Sequence, residues 1–120
     1  MKNLENKIAV ITGGNSGIGY AAAKRLKESG ARVIITGRRR DAVETAAKEL
    51  NITGFVADQS KVSDIEHVAS KVKEQFGRVD ILVINAGITK FSTIEQIEES
   101  KFDEMMNINF KGAYFTLSRF

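Results

Sequence analysis

The chain has 120 residues, 42% hydrophobic and 28% charged, with no cysteine, proline or tryptophan and one histidine. That is the make-up of one ordinary globular domain, and it excludes a disulfide framework, thiol chemistry and Cys- or His-built metal sites. A net charge of +3 is weak for a nucleic-acid surface, no apolar run approaches the ~18–20 residues of a membrane helix, and the polar start Met1-Lys2-Asn3-Leu4-Glu5-Asn6-Lys7 is unlike a secretory leader, so a cytoplasmic protein with no nucleic-acid, membrane or metal partner is expected.

The first apolar run, Ile8-Ala9-Val10-Ile11, does not alternate with polar residues, which suits a strand buried on both faces of a parallel sheet. It leads into Thr12-Gly13-Gly14-Asn15-Ser16-Gly17-Ile18-Gly19 and then a helix to Ser29, with Ala21, Ala22 and Leu26 on one face and Gly30 closing it. A second run, Val33-Ile34-Ile35, precedes a helix marked by Val43, Ala46, Ala47 and Leu50 at i, i+3, i+4, i+7 spacing. The third, Phe55-Val56-Ala57, precedes a helix marked by Ile65, Val68, Ala69, Val72 and Phe76. Ser63 with Glu66 reads as a capping box at its start, and Gly77 ends it. The fourth run, Ile81-Leu82-Val83-Ile84, is followed by a loop and a last helix, expected from near Ile97 towards Phe120 with a break around Lys111-Gly112. Glu95, Glu98 and Glu99 read as first-turn charges of that helix, Met105 and Met106 as core or interface filler, and His67 as a solvent-facing helical residue.

Repeated strand–helix alternation predicts an α/β fold of right-handed units: a Rossmann-type three-layer αβα sandwich on a parallel sheet in the order 3-2-1-4. No linker or repeat divides the chain, so residues 1–120 are expected to form a single unit. Such folds have six strands or more, and the fourth run is as apolar as a central strand. An uncovered apolar edge invites pairing, so the chain is expected to be part of a longer protein or to self-associate.

The glycine-rich stretch carries the chemistry. Glycine at a strand end allows a tight turn, a second lets the backbone approach a pyrophosphate, and a third lets the helix sit close to the sheet. The N–H groups and positive dipole end of the helix then face the phosphates. Alone, the stretch fits a plain βα turn equally well; the strand before it and the helix after it favour phosphate binding. About 20 residues on, where NAD-binding folds place a carboxylate on the ribose 2′-hydroxyl, the chain reads Gly37-Arg38-Arg39-Arg40. A guanidinium forks onto a 2′-phosphate, so NADP(H) is preferred here, with NAD(H) left open.

Taken together these residues resemble the first half of the short-chain dehydrogenase/reductase family. Its Thr-Gly-x-x-x-Gly-x-Gly fingerprint stands at Thr12 to Gly19, and Gly37-Arg38-Arg39 is similar to its NADP-preferring members. Asp58, beside Gln59, matches the family's adenine-side Asp; Asn85-Ala86-Gly87 matches its Asn-Ala-Gly segment; and Asn109 matches the asparagine of its catalytic tetrad. The resemblance implies a pyrophosphate on Gly13, Asn15, Ser16, Gly17, Ile18 and Gly19. It implies the adenosine end on Arg38, Arg39, Asp58 and Gln59, and the nicotinamide beside Asn85, Ala86 and Gly87. The implied reaction is hydride transfer between nicotinamide and a small-molecule carbonyl or secondary alcohol, in a homo-oligomer that meets through the helix bearing Tyr114, Phe115 and Phe120.

Two departures stand out. Ile84 replaces the first of the family's two asparagines, and the Ser and Tyr-x-x-x-Lys that follow the helix asparagine are not among these residues. General acid–base help is worth about 10²–10⁴-fold, and Asn109 has no titratable proton, so the isolated 120 residues are expected to be inactive. Tyr20-Ala21-Ala22-Ala23-Lys24 matches the pair in spelling only, because it lies on the pyrophosphate helix. The alternative reading is a non-catalytic dinucleotide-binding or protein-interaction module.

Overall fold

The computed structural model describes residues 3–88 and 92–120. Strands β1 (Ile8–Thr12), β2 (Arg32–Gly37), β3 (Thr53–Val56) and β4 (Ile81–Ile84) form one parallel sheet in the order β3-β2-β1-β4. Helices α1 (Gly17–Glu28), α2 (Arg40–Leu50) and α3 (Val62–Phe76) alternate with them. After β4 come α4 (Glu99–Met106), a widened π-helical segment (Asn107–Gly112) and α5 (Ala113–Arg119).

Because β1 is central and buried at every position, its side chains feed two cores. Ala9 and Ile11 join Val33, Ile35, Ala23 and Ala46, with Leu26 and Leu50, under α1 and α2. Ile8 and Val10 join Ile34, Val68 and Val72, with Phe76 and Phe120, under α3 and the chain end. The three-layer sandwich expected from the strand–helix alternation is what forms.

Several local expectations need correcting. Burial on both faces holds for β1 and most of β2, but β3 and β4 are half-buried throughout, because each has only one strand neighbour. The third strand starts earlier than its apolar run, and Ala57 lies beyond it, its N–H donating to the Gly37 carbonyl at 2.8 Å. The Ser63–Glu66 capping box does not form: α3 starts at Val62, so Ser63 lies inside the helix, and Lys61 at the N-cap makes no side-chain cap. Asp64 is the acid of that first turn, and its carboxylate accepts the Asp58 N–H at 2.8 Å. The last helix starts at Glu99, leaving Glu98 as N-cap and Glu95 outside it, and the expected break is the π segment. Met105 is half-buried and Met106 exposed, so neither is core. His67 is exposed, as expected.

Start-to-start contact between β1 and β4 is made by Asp80. Its carboxylate accepts the Ile8 N–H at 2.8 Å, its own N–H donates to the Ile8 carbonyl at 2.8 Å, and Arg78 pairs with it at 3.0 Å. The Ile8 hydrogen bond foremost, with the Arg78 and Lys7 charges, holds the Asp80 carboxyl below the usual carboxylate range against a smaller opposing effect of burial.

Candidate functional site

The carboxyl ends of the strands meet around Thr12, which pairs in register with Thr36 of β2 and Ile84 of β4. This is the point where the strand order reverses, where such sheets open a crevice. Thr12 is buried, and its Oγ1 accepts the backbone N–H groups of Asn85 and Ala86 at 3.0 and 3.1 Å. The Asn85 Nδ2 donates to the Gly13 carbonyl at 3.2 Å. The loop after β4 is therefore pinned to the glycine turn by three hydrogen bonds.

The turn itself divides its glycines by task. Gly17, first residue of α1, has φ +57, and nothing lies within 4 Å of where a Cβ would stand. Its side of the turn is open for a ligand to approach the backbone, and the first N–H groups of a helix have no intrahelical acceptor. Gly19 is the reverse case: a Cβ there would overlap the Gly13 carbonyl oxygen and the Asn85 amide. This glycine lets helix, turn and β4 loop close on one another. Ser16 and Ile18 are exposed beside them, Ile18 at 81%.

At the end of β2, Gly37 is buried while Arg38, Arg39 and Arg40 are exposed. A side chain at 37 would overlap the Asn15 Oδ1, so the place where a ribose-binding carboxylate would stand is covered by Asn15. Arg40 turns to Glu44 in an exposed i, i+4 pair at 3.7 Å. Across the crevice, the Asp58 Oδ1 accepts from the Ser60 N–H at 2.9 Å and the Ser60 hydroxyl at 2.7 Å. Burial pushes the Asp58 carboxyl up, but the Ser60 hydrogen bonds and the Arg38 and Lys61 charges together hold it below the ordinary value of 3.8.

Past β4, the Asn109 side chain grips the loop from the π segment. Its Oδ1 accepts the Ile88 N–H at 2.8 Å and its Nδ2 donates to the Ile88 carbonyl at 2.7 Å. Gly87 lies beneath, where a Cβ would come within 3.1 Å of the Asn109 Oδ1.

A cleft of about 280 Å³ at the strand ends brings together Gly13, Asn15, Ser16, Arg38, Arg39, Gln59, Asn85, Ala86 and Gly87. Gly17, Ile18, Gly19, Asp58 and Asn109 are not among the residues that line it. Sequence reasoning passed over Thr36, Ala57, Ile88 and Ile108, which also line it. Thr36 and Ala57 lie at or just past the carboxyl ends of β2 and β3 and could have been read as strand-end positions; nothing in the pattern singles out Ile108. A larger hollow of about 430 Å³, between α3 and the chain end at Arg119 and Phe120, contains none of these residues.

The Tyr20–Lys24 pair lies elsewhere. The Tyr20 hydroxyl donates to Glu49 on α2 at 3.0 Å, and that hydrogen bond, with burial and the Glu49 charge, raises its pKa above the ordinary 10.0. This is the opposite of what a proton-donating tyrosine beside a lysine requires. Among the described residues no group of three His, Cys, Asp or Glu side chains could hold a metal, and no helix is long and apolar enough to cross a membrane.

The short chain dehydrogenase family model matches residues 7–120. The chain is 36% identical over 121 residues to an uncharacterised oxidoreductase of Staphylococcus haemolyticus, covering 98% of this chain and 52% of that protein. It is 33% identical over 118 residues to a 3alpha-hydroxysteroid dehydrogenase of Mediterraneibacter gnavus, covering 92% and 47%. A metagenomic short-chain oxidoreductase solved in complex with NADP superposes with a TM-score of 0.93 at 31% identity, over 98% of this chain and 56% of that one. The chain thus spans about half the length of the curated relatives it matches.

Proposed function

The chain belongs to the short-chain dehydrogenase family, and from that premise we propose that it is the cofactor-binding part of an NADP(H)-preferring oxidoreductase acting on a carbonyl or secondary alcohol. The observation that carries this reading is the turn at residues 13–19. Its open face at Gly17 offers backbone N–H groups and the positive end of α1 to a pyrophosphate, while Gly19 and Thr12 keep the supporting loop in place. The residues fit the cofactor. Arg38 and Arg39 would meet a 2′-phosphate, Asp58 and Gln59 would lie on the adenosine side, and Asn85, Ala86 and Gly87 would flank the nicotinamide. When bound, that cofactor supplies or accepts hydride.

This chain's own part is binding and orientation. A charge-assisted contact contributes about 1.5–3 kcal/mol, so one well-placed arginine accounts for roughly a ten- to hundredfold preference for the phosphorylated nucleotide. Asn15 adds to that preference by covering the position a carboxylate would need. Asn109 holds the loop at Ile88, and its amide can carry a hydrogen bond to water without itself gaining or losing a proton. With no Tyr-x-x-x-Lys after Asn109 in these residues, and so no acid to deliver the proton, the 120-residue chain binds without turnover.

Fluorescence titration with NADPH and NADH, followed by a panel of ketones, tests the proposal. Saturable NADPH binding at least about tenfold tighter than NADH, with no ketone consumed, is the expected result. Equal affinities would remove the arginine argument, no binding would remove the whole reading, and turnover that survives repurification would remove the claim of inactivity.

A further inference from the structure

Gln59 stands one residue from Asp58 and lines the cleft, yet its side-chain amide is engaged with the arm. It is 8% exposed, and its Nε2 donates to the Gly112 carbonyl at 3.1 Å and to the Thr116 hydroxyl. The Thr116 Oγ1, fully buried, donates to the same carbonyl at 2.7 Å. Gly112 is pressed so closely on Gln59 that a Cβ would overlap the Gln59 backbone oxygen. Burying an amide and a hydroxyl is costly unless both are satisfied. Here both are spent on one carbonyl, at the last residue of the π segment.

A π turn is rare and occurs mostly as a single widened turn inside an α-helix, frequently at functional sites. This one carries Asn109, whose two hydrogen bonds to Ile88 are its grip on the β4 loop. Helix α4, which leads into the π segment, has no buried residue to fix its position. We propose that Gln59 is a positioning residue: by tying Gly112 and Thr116 to the end of β3, it sets the register of the π segment and hence the seat of Asn109 on Ile88. Gln59, Ile88 and Ile108 line the same cleft, so, resting on the dinucleotide reading above, the adenosine side of the site is mechanically joined to the asparagine on its nicotinamide side.

The test is made on the free protein, so that it stands apart from whether NADPH binds. Hydrogen exchange at the Ile88 amide and the NMR signals of the Asn109 side-chain amide are recorded for Q59L, T116V and T116S, with V33A as a core truncation under the opposite face of the sheet. Q59L is expected to speed Ile88 exchange by about tenfold and to move the Asn109 amide signals towards those of a solvated side chain. T116V shifts both in the same direction by about threefold, T116S restores them, and V33A lowers Tm without moving either. Unchanged Ile88 and Asn109 signals in Q59L, or in T116V should Q59L not fold, would overturn the proposal. So would equal changes in V33A, since those would report general loosening.

Discussion

The strand–turn–helix at the start of the chain and the arm after β4 both line the cleft, and they bury their apolar side chains to different extents. Ile8, Ala9, Val10, Ile11 and Thr12 are at most 3% exposed, so the base of the glycine turn is part of the core. In the arm, α4 buries nothing, and Phe102, Met106, Phe110, Tyr114 and Leu117 are 42–67% exposed. The arm is held by Ile108 and Phe120 in the core, by the Arg119–Glu66 pair, and by the hydrogen bonds of Asn109 to Ile88 and of Gln59 to Gly112 and Thr116. Regions with few buried apolar contacts open at low free-energy cost. The proposed phosphate cradle therefore stands on the core, and Asn109 stands on an arm that leaves more of its apolar side chains exposed.

The largest effect that would sharpen this contrast is expected from Gly19→Val. A side chain there overlaps the Gly13 carbonyl, so NADPH affinity should fall by at least about 100-fold, with a marked drop in Tm; L117S in the arm should stay within about 0.5 kcal/mol of the parent stability. A turn that tolerated valine would mean that helix, turn and loop do not need their close approach. Next, R38A/R39A should weaken NADPH by about 10–100-fold and leave NADH unchanged, read by parallel titrations. Loss of both affinities together would place the arginines on something other than the 2′-phosphate. Asn109→Ala should change dinucleotide affinity by no more than about twofold while speeding Ile88 amide exchange, because it loosens the arm and spares the turn.

The smallest effect concerns acid. Asp80 has a folded-state pKa below its unfolded value, so its contribution to stability is complete above about pH 4 and is lost as pH falls through the folded-state value. Asp58 acts in the same direction. Thermal melts from neutral pH downwards should show D80N less stable than the parent at pH 7, with the gap narrowing below about pH 4. A gap independent of pH would assign Asp80 no electrostatic role at the β1–β4 joint.

Much of this was legible in the residues, for physical reasons. Unbroken Val/Ile runs marked the four strands, though not how deeply the outer two are buried, and glycine best meets a left-handed turn at 17 together with a closed approach at 19. The strand order followed from the alternation. Less legible were features that depend on register and packing. Thr12 stands in the fingerprint, but its service to Asn85 and Ala86, 73 and 74 residues away, needs the β1–β4 pairing. The capping box failed because the helix starts a residue before Ser63, a shift no periodicity resolves. The π segment inserts a wider turn that leaves the apolar spacing nearly intact, so only its approximate place showed, as a break near Gly112. Gln59 lines the cleft beside the arginines, as its place next to Asp58 suggests, but the partners of its amide, Gly112 and Thr116, are brought near only by the fold.

Amide chemical-shift mapping of the ¹⁵N-labelled chain during titration with NADP⁺ addresses the glycine turn most directly. The expected result is saturable movement of the signals of residues 13–19, strongest at Ser16, Gly17 and Ile18, together with Arg38 and Arg39. Saturation with those signals unmoved, or movement confined to the arm, would contradict the assignment of the turn as the phosphate cradle.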